Sequence, residues 1–263
     1  MFVFLETDQT FTTMKSLLSA TILLISAFLF STQPISAKSP IRILVVTGGH
    51  GYDKPTFNEM LNGLGKNITN QVVEFPDAFN QFLPENRGNY DVLVFYHMWQ
   101  KITPEQAKVF AECIKEGKPV VALHHSICAF DEWPEYWNII GGKYFHKPTT
   151  VDGREYAACT YIHDLHFMVN VVKKKHPITK GVKDFEIFDE TYKGYYIRQG
   201  VDPLLTTTEK SSNQVIGWTS QYGKSRIVTL QSGHATPTFQ NASFRKLLKQ
   251  SIEWAYAGIK ASN

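Results

Sequence analysis

The sequence has little of what a nucleic-acid binder, a membrane protein or a disulfide-stapled miniprotein needs. Its formal net charge is only +3 over 263 residues, and its basic residues do not gather with aromatics on one predicted face, which excludes a nucleic-acid footprint. Cysteine is scarce, with three residues in all. Cys113, Cys128 and Cys159 cannot all pair internally, and with Cys113 on a predicted helix face and Cys128 in a loop at most one bridge can form and none is expected. No apolar run reaches the roughly 18 residues that a membrane span wants. There is no internal repeat, no low-complexity tract and no Pro-, Gly- or Ser-rich linker. What is there is ordinary core material, 43% hydrophobic against 19% charged residues, which excludes disorder.

The longest apolar run, Leu17 to Phe30, follows Lys15 and precedes the small residues Ser36 and Ala37. That is the layout of a cleavable export signal. Residues 1–37 are therefore expected to be a signal peptide, with Met14 as the true start, since Glu6, Asp8 and Gln9 ahead of it are unlike a signal's beginning. The expectation is an exported protein, periplasmic or extracellular, with no stable membrane span after cleavage. Residues 38–263 are expected to form one domain, and loss of Glu6, Asp8 and Lys15 leaves it at +4.

That domain opens with Ile41 to Thr47, a β-branched run typical of a strand buried on both faces. Asp53 then caps a helix with Pro55 in its first turn, and Phe57, Met60, Leu61 and Leu64 make its apolar stripe. Further strands are predicted at Gln71 to Phe75, Asp91 to Tyr96 and Lys118 to Leu123. Between the last two, Thr103-Pro104-Glu105-Gln106 opens a helix with a capping box. Strands alternating with helices argue for an α/β fold, a mainly parallel sheet with helices on both faces. From Asp131 to about Thr191 the pattern loosens into an excursion from the sheet, with one strand at His166 to Val172. Order returns with strands at Pro203 to Thr207, Gln214 to Thr219 and Ser225 to Leu230, and a closing helix striped by Phe244, Leu247, Leu248, Ile252 and Ala255.

In an open parallel sheet, ligands bind beyond the carboxyl ends of the strands. Five of the nine histidines follow predicted strands: His50, His97, His124, His125 and His234. Imidazole suits proton transfer near neutrality, so a shared site is expected, with Asp189 and Glu190 as carboxylates to hold and deprotonate a polyhydroxylated ligand. A divalent metal such as zinc is an alternative use of the same residues, with His125 and His234 as candidate ligands. There is no H-E-x-x-H, and His163 and His166 are spaced three apart with no third ligand near them in sequence. A covalent nucleophile is disfavoured, because the turn after Leu123 reads His124-His125-Ser126-Ile127-Cys128 and lacks the flanking glycines of a nucleophile elbow. The run TGGHGYD has neither G-x-G-x-x-G nor a P-loop lysine. Aromatics make up 13% of the chain, and several, including Trp133, Tyr136, Tyr144 and Tyr192, lie in the loosened stretch, where flat faces can cover a sugar.

Four blocks, TGGHGYDK at 47–54, ALHHSICAFDEWPEYWNIIGGKYF at 122–145, HPITKGVKDFEIFDETY at 176–192 and IGWTSQYGKSRIVTLQSGH at 216–234, together resemble the trehalose utilisation (ThuA-like) family. The resemblance implies a flavodoxin-like fold similar to class I glutamine amidotransferases, without their Cys-His-Glu triad, and a link to the uptake or breakdown of trehalose and related disaccharides or keto-sugars. It implies catalytic roles for His50, His124, His125, Glu190 and His234. Tyr52, His97, Trp133, Asp189 and Tyr192 are candidate substrate-binding residues. The expected activity is hydrolysis, elimination or isomerisation of a small carbohydrate. A non-catalytic carbohydrate-binding module and a metal-dependent hydrolase are the alternatives.

Overall fold

The computed structural model describes residues 39–98 and 100–261; the expected export signal lies outside them. In chain order the elements are β1 (Ile41–Gly48), α1 (Lys54–Asn62), β2 (Ile68–Glu74), β3 (Val92–His97), α2 (Pro104–Lys115), β4 (Val120–Leu123) and α3 (Pro134–Ile140). Four short strands and two long ones follow: β5 (Gly142–Lys143), β6 (Thr149–Val151), β7 (Arg154–Tyr156), β8 (Thr160–Val171), β9 (Phe185–Lys193) and β10 (Tyr196–Ile197). The chain closes with β11 (Asp202–Thr206), β12 (Val215–Tyr222), β13 (Ser225–Leu230), α4 (Thr236–Gln240) and α5 (Ala242–Ala261).

Nine strands form one sheet in the order β2-β1-β3-β4-β13-β12-β11-β8-β9. It is parallel from β2 to β13 and antiparallel from β13 to β9. Because strand side chains alternate between faces, β1 feeds two cores at once. Ile43 and Val45 join the core roofed by α1, α4 and α5, while Leu44 and Val46 join the one roofed by α2 and α3. Residues from Ser39 onward form one compact unit, in which Cys113, Cys128 and Cys159 are buried free thiols. Among the described residues, no helix is long and apolar enough to cross a membrane.

The stretch expected to leave the sheet instead extends it. β8 and β9 form a long antiparallel hairpin at its edge. β9 escapes a reading by hydrophobic pattern because Asp189, Glu190 and Thr191 are buried polar residues inside it, so neither a continuous apolar run nor a clean alternation marks it. Its outer edge is closed by side chains rather than by another strand. Asn241 Nδ2, Thr238 Oγ1 and Gln231 Nε2 donate to the carbonyls of Glu186, Phe188 and Glu190, at 3.0, 2.9 and 2.9 Å. These bonds blunt an edge that could otherwise template aggregation, and they bring the middle of β9 against the chain that leaves β13.

Both helices expected from capping signals form. Asp53 accepts from the Thr56 amide at 3.2 Å, and Thr103 and Gln106 make a reciprocal capping box at the start of α2. Thr103→Ala removes the hydroxyl that satisfies the Gln106 amide, and is expected to cost about 1 kcal/mol in urea unfolding. An unchanged midpoint would mean that water replaces the cap at no cost.

Candidate active site

β4 ends at Leu123, and the chain turns at once into a tight 3-10 turn over His124–Cys128. His124 takes φ 48°, a left-handed conformation that residues with a Cβ rarely adopt. This is the sharp elbow at which a hydrolase would carry its nucleophile, and an imidazole occupies it. Cys128 sits at the other end of the turn, where burial pushes its thiol up and keeps it protonated, the opposite of an activated nucleophile.

His124 Nδ1 lies 2.8 Å from the Gln231 carbonyl. A carbonyl only accepts, so Nδ1 carries the proton and Nε2 is left as the reactive nitrogen. Nε2 lies 2.9 Å from Glu190 Oε2 and 3.1 Å from His234 Nδ1. His234 Nδ1 is in turn 3.1 Å from the same carboxylate oxygen, so three donor atoms make a near-equilateral triangle. The Tyr192 hydroxyl adds a third contact to Nε2, at 2.9 Å.

The loop carrying His234 is held by Asp189, whose two carboxylate oxygens accept from the Gly233 and His234 amides at 2.7 and 2.8 Å. Gly233 has φ 132°, and Tyr96 donates to its carbonyl at 2.9 Å. His163 arrives from β8, its Nε2 3.5 Å from Glu190 Oε1. The β8–β9 register shifts between Ile162 and Leu165, with Asp164 at φ 61°, and such a bulge re-aims the side chains beside it. A cavity of about 180 Å³ opens in front of Glu190 and Tyr192, lined also by His50, Tyr144, His146, Tyr161 and His163.

The ten residues singled out from sequence therefore separate. His124, His234, Glu190 and Tyr192 converge, and His50 lines the same cavity, its ring 5.9 Å from that of His234. His125 is buried between the rings of His50, Tyr96 and His124. Of the candidate metal ligands His125 and His234, only His234 belongs to the group whose ligand atoms converge, which is His124, Glu190 and His234, because the elbow turns His124 toward β9 and packs His125 against the rings of His50 and Tyr96. Asp189 is buried and committed to the Gly233 loop. His97 is fully buried, packed against Phe75, Phe95 and Phe130 with its Nε2 3.2 Å from the Tyr136 hydroxyl, and burial lowers its pKa to about 3. Tyr52 packs edge-on against Phe57 and Tyr96, and Trp133 lines a separate cleft. Sequence reasoning passed over His146 and Tyr161, counted Tyr144 only among several aromatics able to cover a sugar, and left His163 without a partner. The partner of His163, Glu190, lies across a hairpin rather than nearby in sequence.

The sequence profile of the ThuA family, described as trehalose utilisation, matches residues 42–255. The chain belongs to the ThuA family. Among solved structures it is similar to a ThuA-like protein from Parabacteroides merdae, with 21% identity, TM-score 0.67, and 84% of this chain and 91% of the other covered. It is also similar to a ThuA-like protein from Bacteroides uniformis, with 18% identity, TM-score 0.63, and 83% and 93% covered. A more distant likeness is to PurLQS from Thermotoga maritima, with 14% identity, TM-score 0.54, and 82% and 99% covered. Comparison with curated proteins returns no significant match. At these identities the likenesses show the fold, which is the flavodoxin-like α/β fold of class I glutamine amidotransferases.

In this ThuA chain the site's charges hold one another. Burial would raise the Glu190 pKa, but without a metal the two imidazoles, donating from His124 Nε2 and His234 Nδ1 once protonated, and their charge, outweigh it and hold the carboxyl well below the usual range. His234 is raised above 6.5 by its bond to Glu190, against the opposing effect of its own burial. His50 is lowered by desolvation, and further by His124 and His234, so it is neutral near pH 7. The cluster is consistent with acid–base chemistry.

These shifts make stability depend on pH. The stabilisation from His234 is complete below its unfolded value of 6.5 and fades as pH rises through the higher folded value. That from Glu190 is complete above 4.5 and fades only as pH falls through its depressed folded value. In metal-free protein, an NMR titration is expected to put the His234 midpoint above 6.5. Glu190→Gln is expected to bring it down, and an unchanged midpoint in that variant would refute the pairing.

Proposed function

We propose that this ThuA protein is an exported enzyme that acts on a disaccharide, glycoside or keto-sugar by histidine and carboxylate acid–base chemistry, with a divalent cation such as zinc seated on His124, Glu190 and His234. The observation that carries the reading is the convergence of His124 Nε2, Glu190 Oε2 and His234 Nδ1 on one point beside a cavity. Two imidazole nitrogens and a carboxylate oxygen cannot all be satisfied by one proton, whereas a cation gives all three lone pairs a common target. Donors about 2.1 Å from a metal sit about 3.0–3.4 Å from one another, depending on the coordination angle, and the triangle's edges of 2.9, 3.1 and 3.1 Å are close to that. The Gln231 carbonyl on His124 Nδ1 is the outer-shell partner that metal-bound histidines ordinarily have.

When bound, the cation would polarise a ligand oxygen as a Lewis acid. The remaining steps fall to the chain's own residues. His50, neutral and lining the cavity, is suited to take the proton from the carbon next to a sugar carbonyl. Return of that proton to the neighbouring carbon is isomerisation, and departure of a glycosidic oxygen from the next carbon is elimination. Tyr192, whose phenol burial keeps protonated, can donate a hydrogen bond but cannot serve as the base. Family membership and slight net charge support a neutral sugar over a phosphate ester.

The test pairs elemental analysis of the purified protein with product analysis on glycosides and keto-glycosides. His124→Ala and His234→Ala are expected to fold, lose the metal and lose turnover by at least about 100-fold, whereas His50→Ala keeps the metal and loses turnover by a similar factor. Full turnover in both triad variants would sink the catalytic assignment. Sugar bound tightly and recovered unchanged would make the protein a binding module instead. The export reading is checked separately by N-terminal sequencing of the mature protein.

A further inference from the structure

The triad cavity, about 180 Å³, is smaller than the roughly 300–1,000 Å³ of pockets that bury whole ligands. A ligand of two sugar rings therefore needs room beyond it. A second hollow of about 580 Å³ is lined by Gln100, Lys101, Ile102, Phe130, Asp131 and Trp133, among others. The two share a wall. His146 lines the triad cavity and holds Asp131 of the cleft through Nδ1, at 3.1 and 3.2 Å from its two carboxylate oxygens. Gln100 of the cleft donates to the carbonyl of Met98, which lines the cavity.

The wall is rigid, because Asp131 is anchored from behind. Lys143, 1% exposed, places its ammonium 2.6 Å from Asp131 Oδ1 and 3.0 Å from the Ala129 carbonyl. We infer that the cleft is a second sugar subsite, taking the further ring of a ligand whose reacting ring occupies the triad cavity. This rests on the carbohydrate reading above and adds to it a ligand of at least two rings. The lining suits that chemistry. Trp133 is half-buried and fixed by Phe110, Phe130 and Tyr136, a preset aromatic surface for the C–H face of a pyranose. Around it stand a carboxamide, an ammonium and the carboxylates of Asp131 and Glu132, which pair with hydroxyls. The polar groups penalise a wholly apolar ligand.

Calorimetry separates the outcomes. The probes are trehalose, maltose, cellobiose and lactose, each beside the methyl glycoside of one of its rings. The variants are Trp133→Leu and the double change Lys101→Ala with Glu132→Ala, the latter at exposed positions that leave packing untouched. Both variants are expected to weaken the preferred disaccharide by about tenfold and its methyl glycoside by less than about twofold. Equal losses for both ligands, or no loss in either variant, would overturn the subsite while leaving the triad's sugar chemistry standing. No binding of any probe by the unaltered protein would overturn the subsite, and the carbohydrate reading would fall with it only if product analysis on keto-glycosides also found no turnover.

Discussion

A carboxylate removed from water must be compensated by charge or hydrogen bonds, and the rim of this fold is organised around that requirement at Glu190. The side chain is 6% exposed, so it would be driven to its neutral form if left alone. Two imidazoles hold it ionised, and each is fixed by other parts of the chain. Gln231 sets the tautomer of His124, and Asp189 anchors the backbone of His234. Removing any one of these contacts leaves a buried polar group unpaired, so the cluster stands or falls together.

The two halves of the sheet divide the work. The parallel half supplies strand ends that point imidazoles at a common rim, as expected for doubly wound folds. The antiparallel half supplies the carboxylate, because the β8–β9 hairpin lies at the far edge of the sheet and yet reaches the chain leaving β13 through side-chain bonds to its outer edge. The elbow after β4 presents His124 in a strained, left-handed backbone.

Much of this was legible in the sequence. Buried β-branched runs gave away the parallel strands, and Asp53 and the Thr103–Gln106 box marked helix starts, because these signals act over a few residues. Histidines after strands pointed to the rim for the same reason. His97 shows the limit: it too follows a strand, but its ring turns into an aromatic core, and strand position alone does not set the direction of a side chain. The choice of His124 over His125 depended on a single backbone φ. β9 and the role of His163 depended on pairings between residues distant in sequence, which no local pattern records.

Asp189 and Glu190 are neighbours on one strand, and successive strand side chains leave on opposite sides. One acidic residue holds a loop in place, and the other holds the charge at the site. Sliding β9 by a single position would exchange their duties, presenting the shorter side chain to the imidazoles and pushing the longer one against the Gly233 amide. The identity of the site is thus encoded in strand register as much as in residue type. Substitutions in the β8–β9 hairpin that never touch a ligand, at the bulge around Asp164 above all, can abolish the site while leaving every one of its residues in the chain.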